Sequence, residues 1–403
     1  MKDDIPKDFK FAGTHCGVKK KRKDVGIIFS EVDALTCGVF TKNVVKAAPV
    51  IYDEKILKQR EIFRAIIVNS GIANACTGER GLKDAEEMAR MTADSLGLKK
   101  EEILVSSTGV IGANLPMEKI KKGVETLSQT LGNSWKNVED FANSIMTTDR
   151  FPKISTKRLE IKGKTVKILG IAKGAGMIHP NMATMLAFVV CDINITRRAL
   201  CKVLRESVDR TYNMISVDGD TSTNDMVIVM ANGKAENEVL DLEDEEFQRF
   251  FDAFNNVNEN LAKMIVKDGE GATKIFEVVV KGARSFEEAK KIVRTILSSN
   301  LVKTAVYGSD PNWGRIIASA GYSGVEFDPN LVDLYLESID GDERIALMLK
   351  GEPVEFDESK AKMIMSRDEF RFTLDMNSGN ISTKGWGCDL TEKYVEINGR
   401  YRT

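Results

Sequence analysis

Short apolar runs of strand length alternate with amphipathic stretches of helix length along the whole chain, with no repeated period and no low-complexity segment. Such alternation leaves an α+β or layered α/β fold as the architecture. Strands are expected at Val25–Phe29, Ala34–Phe40, Ala65–Val68, Ile103–Ser106, Met185–Cys191, Met226–Met230, Phe276–Val280, Val332–Leu336 and Phe370–Leu374. A hairpin is expected from Arg158 to Ile171, turning at Lys162-Gly163-Lys164. Helices are expected at Lys83–Leu96, closed by Gly97, at Met117–Leu131, entered at Pro116, and near Trp135–Ile145, Arg197–Asn213, Asp244–Val266 and Phe286–Ser298. At 403 residues the chain is too long for one small core. The Gly282-Ala283-Arg284 junction divides it into a larger unit, 1–282, and a smaller C-terminal α/β unit, 283–403.

Several function classes fall away on composition. The 58 basic and 60 acidic side chains nearly cancel, which argues against a polyanion-binding surface. The basic run Lys19-Lys20-Lys21-Arg22-Lys23 precedes an apolar strand and reads as a solvated loop or edge. Met1-Lys2-Asp3-Asp4 has neither the apolar core of a signal peptide nor the acid-free character of a transit peptide. No stretch approaches the ~20 apolar residues needed to cross a bilayer, so a cytoplasmic location is expected. Cys16, Cys37, Cys76, Cys191, Cys201 and Cys388 show no C-x-x-C pair and no zinc spacing, and are expected as reduced thiols. The only histidines are His15 and His179, too few for a His-based triad beside a multi-His metal site.

One segment carries chemistry. From Lys173 a glycine-rich loop, Gly174-Ala175-Gly176, leads through His179, Pro180 and Asn181 to Thr184, which stands at the mouth of the apolar strand Met185–Cys191. A Thr there is ordinarily a good strand former. Behind a strained glycine and proline turn, however, its hydroxyl is placed to attack the carbonyl before it. Hydrolysis of the resulting ester would leave Thr184 with a free α-amine, whose unperturbed pKa of about 7.7–8.0 suits a general base. A Thr activated by its own amine needs no histidine.

The run Lys173–Leu186, containing Pro180-Asn181-Met182-Ala183-Thr184-Met185-Leu186, resembles the cleavage signature of the ornithine acetyltransferase (glutamate N-acetyltransferase) family. Further matching blocks are Cys37–Asn43, Asn69-Ser70-Gly71, Ala73–Gly78, Ser106–Gly112, Ser216–Asp225, Asp268–Lys274 and Gly308–Arg315, in family order over almost the whole chain. Ala175 stands where the family often has Ser, and Ile72 where it often has Asn.

The resemblance implies an αββα-type sandwich with a smaller C-terminal domain, cut between Ala183 and Thr184 into an α chain, 1–183, and a β chain, 184–403. It implies acetyl transfer from N2-acetyl-L-ornithine to L-glutamate in arginine biosynthesis. The route is ping-pong, through an ester on Thr184. Thr108 and Gly109 would form the oxyanion hole; read as residues alone, the pair is equally an ordinary turn. The substrate-binding positions carried over are Thr147, Lys173, Thr184, Glu270, Asn398 and Thr403. By physics alone Thr148 is indistinguishable from Thr147, and Glu270 reads as a turn residue. Implied partners are the two small-molecule substrates and the cleavage fragments themselves, joined as a heterotetramer of two α and two β chains.

No cofactor is expected, because no Walker loop and no G-x-G-x-x-G occurs; acetyl-CoA as an additional donor is left open. No metal is expected at Asp218-Gly219-Asp220 with Asn224 and Asp225, a stretch that reads as a structural turn or pocket wall. The twelfth position of a calcium loop started at Asp218 would be Val229, inside an apolar strand. His179, on the leaving side of the cut, is a lesser candidate base. An aminopeptidase or amidase on the same scaffold, with water as acceptor, is the alternative reading.

Overall fold

The computed structural model describes residues 4–179 and 185–400. Its strands, in chain order, are β1 (Phe9–Thr14), β2 (Val25–Phe40), β3 (Ile62–Ile72), β4 (Ile103–Val110), β5 (Lys153–Ile161), β6 (Lys164–Lys173), β7 (Leu186–Cys191) and β8 (Ile215–Ser216). There follow β9 (Met226–Ala231), β10 (Ile275–Ala283), β11 (Asp333–Ser338), β12 (Arg344–Leu349), β13 (Glu352–Pro353), β14 (Glu369–Asp375) and β15 (Ile381–Cys388).

They form two mixed sheets. The first runs β4-β3-β2-β9-β7-β6-β5, with β1 added on β2; the second runs β13-β12-β11-β14-β10-β15-β8. The two expected strands Val25–Phe29 and Ala34–Phe40 are one long strand, β2, with a register shift between Phe29 and Ala34. Its first half lies between β1 and β3, and its second half pairs with β9. The β5–β6 hairpin turns through Lys162 and Gly163, both at positive φ, as a two-residue connection that follows the natural strand twist demands. Strands β7 and β9 are parallel and are joined through the crossover helix Arg197–Arg210.

Period-2 alternation explains the layering. Leu186, Phe188 and Val190 of β7, with Met226, Ile228 and Met230 of β9, bury against the side carrying helix Trp135–Ser144. There Phe141 meets Phe188 edge-on at 5.8 Å between ring centroids. Ala187, Val189, Val227 and Val229 face the other way, into a core shared with helices Arg197–Arg210 and Phe247–Lys267 and with the second sheet. Those two helices also reach β15, so they bridge the sheets. This is a layered α+β fold. Sequence residue 282 falls near the end of β10, and the second sheet also takes in β8 from the middle of the chain.

The expectation of six reduced thiols is corrected. Cys37 of β2 and Cys201 of helix Arg197–Arg210 are joined as a disulfide across a Cα–Cα distance of 5.5 Å. Their 164-residue separation carries no spacing signal; the packing of the helix on β2 is what brings them together. No helix among the described residues is long and apolar enough to cross a membrane.

Candidate active site

The ends of β4, β6, β7 and β9 converge on a cleft of about 170 Å³. Lys173, the last residue of β6, reaches into it from a buried backbone position. Its Nζ donates to Thr147 Oγ1 at 2.9 Å and to Thr108 Oγ1 at 3.4 Å, and lies 4.0 Å from Asp149 Oδ2. Burial pulls the ammonium's pKa below its ordinary value, against the pull of Asp149.

Asp149 organises this side of the cleft. Its Oδ1 accepts from Lys153 Nζ at 2.7 Å and from the Gly174 amide at 2.7 Å, and its Oδ2 accepts from the Thr147 amide at 2.9 Å. Burial alone would raise its pKa, but Lys173 and Lys153 outweigh burial and hold the carboxyl well below the usual range. Lys153 also donates to Asp268 at 2.6 Å, and Arg150 Nε reaches Asp268 at 2.9 Å.

Across the cleft, Thr108 and Gly109 sit near the end of β4. Gly109 holds a φ of 131°, and a Cβ there would lie 2.2 Å from the Gly71 carbonyl carbon, so only glycine fits the β3–β4 pairing. Glu270 enters from the opposite wall. Its amide donates to Ala175 O at 2.9 Å, and its Oε2 accepts from Asn398 Nδ2 at 2.8 Å. Gly176 lies so close that a Cβ would stand 2.5 Å from the Glu270 carboxylate. Asn398 comes from the C-terminal helix Glu392–Gly399.

Met185 and Leu186 also line the cleft, so the residue joined directly to Thr184 belongs to its wall. Thr184 itself, Ala183 and Thr403 lie outside the described residues. The structure thus brings together Thr108, Gly109, Thr147, Lys173, Glu270 and Asn398. Thr148 lines the same cleft, but it is Thr147 that bonds Lys173. His179 is placed elsewhere: its Nδ1 is 3.1 Å from Ser216 Oγ, and burial, aided by Arg294, pulls its pKa down to about 4. Asp218 accepts from the amides of Met177 and Ile178 at 2.6 and 2.8 Å, and so clamps the glycine loop.

Sequence reasoning gave no role in the site to Asp149, Lys19 or Arg22. Lys19 Nζ donates to Met146 O at 2.8 Å and Arg22 Nη1 to Asp149 O at 3.1 Å, so the basic run braces the loop that carries Thr147. Burial draws the Lys19 pKa down to about 8. Asn224 Nδ2 bonds Ala73 O at 2.6 Å and Ser107 O at 2.8 Å, bolting the segment before β9 to the end of β4. Asp225, buried beside it, also lines the cleft. The stretch read from sequence as a structural turn or pocket wall thus supplies Ser222, Thr223, Asn224 and Asp225 to the cleft lining.

A layered α+β scaffold with a small polar cleft that gathers one buried ammonium, two carboxylates and a glycine-bearing strand end defines an enzyme for small charged metabolites. The ArgJ family model matches residues 10–403. The arginine biosynthesis bifunctional protein ArgJ of Thermotoga neapolitana is 56% identical over 400 residues, covering 99% of this chain and 100% of that protein. The protein of the same name from Bacillus subtilis is 48% identical over 398 residues, covering 99% and 96%. A solved structure of ornithine acetyltransferase from Mycobacterium tuberculosis, complexed with ornithine, matches at 35% identity and a TM-score of 0.41, covering 45% of this chain and 96% of that one. The chain belongs to the ArgJ family.

Proposed function

We propose that the cleft moves an acetyl group from N2-acetyl-L-ornithine to L-glutamate for arginine biosynthesis, through an ester on the Thr184 hydroxyl. The observation that supports this most directly is the convergence of Thr108, Gly109, Thr147, Lys173, Glu270 and Asn398 on the mouth of β7, where Met185 and Leu186 line the same wall. In this reading Lys173 attracts the α-carboxylate common to both amino acids, and Glu270 the δ-ammonium of ornithine. Thr108 and Gly109 stabilise the oxygen that becomes negative in the tetrahedral intermediate. Thr403 completes the substrate contacts. The α-amine of Thr184, freed by cleavage after Ala183, takes the hydroxyl proton.

No cofactor enters, because transfer between two amines of similar basicity is nearly thermoneutral; acetyl-CoA is a second donor to be tested. The pairing of β6 with β7 and of β2 with β9 crosses the proposed cut. The two fragments therefore stay associated; the assembly we propose for them is a heterotetramer of two α and two β chains, working in the cytoplasm. We assign residues 1–282 to the catalytic unit and 283–403 to the smaller unit that contributes Asn398 and Thr403. The test is exchange of labelled acetyl between N-acetylornithine and glutamate, with acetyl-CoA offered separately. Release of free acetate without labelled N-acetylglutamate would instead mark a hydrolase.

A further inference from the structure

Asp225 is the charged group of the cleft that the mechanism above leaves idle. It directly precedes β9, whose first residue, Met226, is in register with Leu186, which in turn pairs with Lys173. The ends of β6, β7 and β9 therefore lie side by side, about 4.8 Å apart, and the Met226 amide donates to Met185 O at 3.1 Å. On the other side, Asn224 ties this segment to Ser107, next to Thr108. Asp225 thus stands between the oxyanion donors and the mouth of β7. It is 2% exposed, and its Oδ2 has no hydrogen-bond partner among the described residues. A buried carboxyl oxygen left bare costs about 1–3 kcal/mol, so a polar ligand in the cleft is the natural partner.

We propose that Asp225 is a further catalytic residue of acetyl transfer, its carboxyl giving a proton to the nitrogen that leaves and taking one from the nitrogen that attacks. This rests on the reading under Proposed function. In the first half-reaction Thr184 Oγ bonds the acetyl carbon, and the hydroxyl proton goes to the α-amine. The C–N bond then breaks as the Asp225 carboxyl protonates that nitrogen, and ornithine departs as the free amine. Asp225 is left as carboxylate and the Thr184 amine as ammonium. In the second half the neutral amine of glutamate bonds the acetyl carbon and passes its proton to Asp225. The ester C–O bond breaks and the α-ammonium returns its proton to Thr184 Oγ.

Burial raises the Asp225 pKa well above the ordinary carboxylate value, favouring the protonated form this cycle starts from. Lys173 opposes that shift, as do hydrogen bonds from Ser222 and Thr41. Glu270 is the remaining titratable side chain among the described residues of the cleft, and Asp149 and Lys153 lie behind Lys173.

The test compares an amide donor, N-acetylornithine, with an aryl ester, p-nitrophenyl acetate, whose phenolate leaves without a proton. In cleaved Asp225→Asn protein, amide turnover should fall at least about 100-fold, the range of a lost general acid, and the amide-to-ester rate ratio at least about 30-fold. Equal losses on both donors, or none, would overturn the assignment. If that variant stays uncut, the wild-type pH profiles decide. With amide as donor, kcat/KM should fall as pH rises through the Asp225 pKa, and the ester profile should lack that limb; identical profiles would overturn the proposal. Wild-type protein that transfers no acetyl at all would instead sink the function reading itself.

Discussion

Lys153→Met probes the buried charges beneath the cleft. Lys153, Asp149 and Asp268 are all fully buried, with Lys153 Nζ 2.7 Å from one carboxylate and 2.6 Å from the other. Methionine fills similar volume but leaves two carboxylates in a dry environment. Asp268 keeps Arg150 at 2.9 Å, whereas Asp149 keeps only Lys173, 4.0 Å away. Removing one partner of a buried ion pair costs about 3–5 kcal/mol. With an unfolding entropy of roughly 2.1 cal/mol/K per residue over 403 residues, that loss corresponds to a drop in Tm of about 4–6 °C. The pH dependence has a definite sign. Asp149 has a depressed folded pKa, so its contribution is complete above the unfolded value of about 3.9 and is lost as pH falls below it. With Lys153 gone the folded pKa rises. The deficit against wild type should therefore be largest at neutral pH and shrink as pH falls through about 5 and on well below the unfolded value of about 3.9. Asp149 also holds the Gly174 and Thr147 amides, so acetyl transfer should weaken as well. Calorimetry across that pH range is the assay. A neutral-pH loss below about 1 kcal/mol, the range of an exposed pair, or a deficit independent of pH would refute the reasoning.

Gly176→Ala places a methyl 2.5 Å from the Glu270 carboxylate and should push it off Asn398; KM for N-acetylornithine should rise about 10-fold, the equivalent of one ~1.4 kcal/mol contact, with little change in Tm. After reduction of the Cys37–Cys201 link, intact-mass spectrometry should find fragments 1–183 and 184–403 in wild type and only the full chain in Thr184→Ala, and a cut alanine variant would move the nucleophile elsewhere. In the uncut chain of Thr184→Ala the Cys37–Cys201 link closes a 164-residue loop, so adding Cys201→Ser to it should cost up to about 5 kcal/mol by chain entropy; an unchanged Tm, with or without reductant, would show that the link does not form in solution.

The core strands were legible because each is a continuous apolar run: β7 and β9 are buried on both faces and read as Leu186–Cys191 and Met226–Ala231. The elements that escaped lack that signal. Strand β15 reads Ile-Ser-Thr-Lys-Gly-Trp-Gly-Cys, with two glycines and a lysine, and is fixed instead by tertiary contacts. Trp386 is fully buried and its Nε1 donates to Glu277 at 2.8 Å, while a Cβ at Gly385 would meet Met214 O at 2.4 Å. Helix Ala48–Leu57 has no amphipathic stripe and no side-chain cap. In the site, Lys173, Thr108 and Glu270 were legible through motif context, whereas Asp149 was not. Its importance arises from Lys153, Lys173 and the Gly174 amide meeting it in space, and no spacing along the chain announces that.

The charges around the cleft explain why the span from Lys173 to Ile178 carries so many constraints before the proposed cut. A zwitterionic substrate needs a cation and an anion at fixed separation; here the cation, Lys173, is buried and the anion, Glu270, is half-buried. Lys173 is held as cation by Asp149, which itself remains ionised through Lys153. Glu270 is held opposite by Asn398, and only a glycine at 176 leaves it room. The loop joining the two walls must therefore be short, free of side chains on one face, and clamped, which Asp218 does through the amides of Met177 and Ile178. Strand β7, which follows the proposed cut, is held between β6 and β9. The same fixed strand serves the proposed cut and the proposed transfer, since each requires a hydroxyl presented at that mouth beside Thr108 and Gly109.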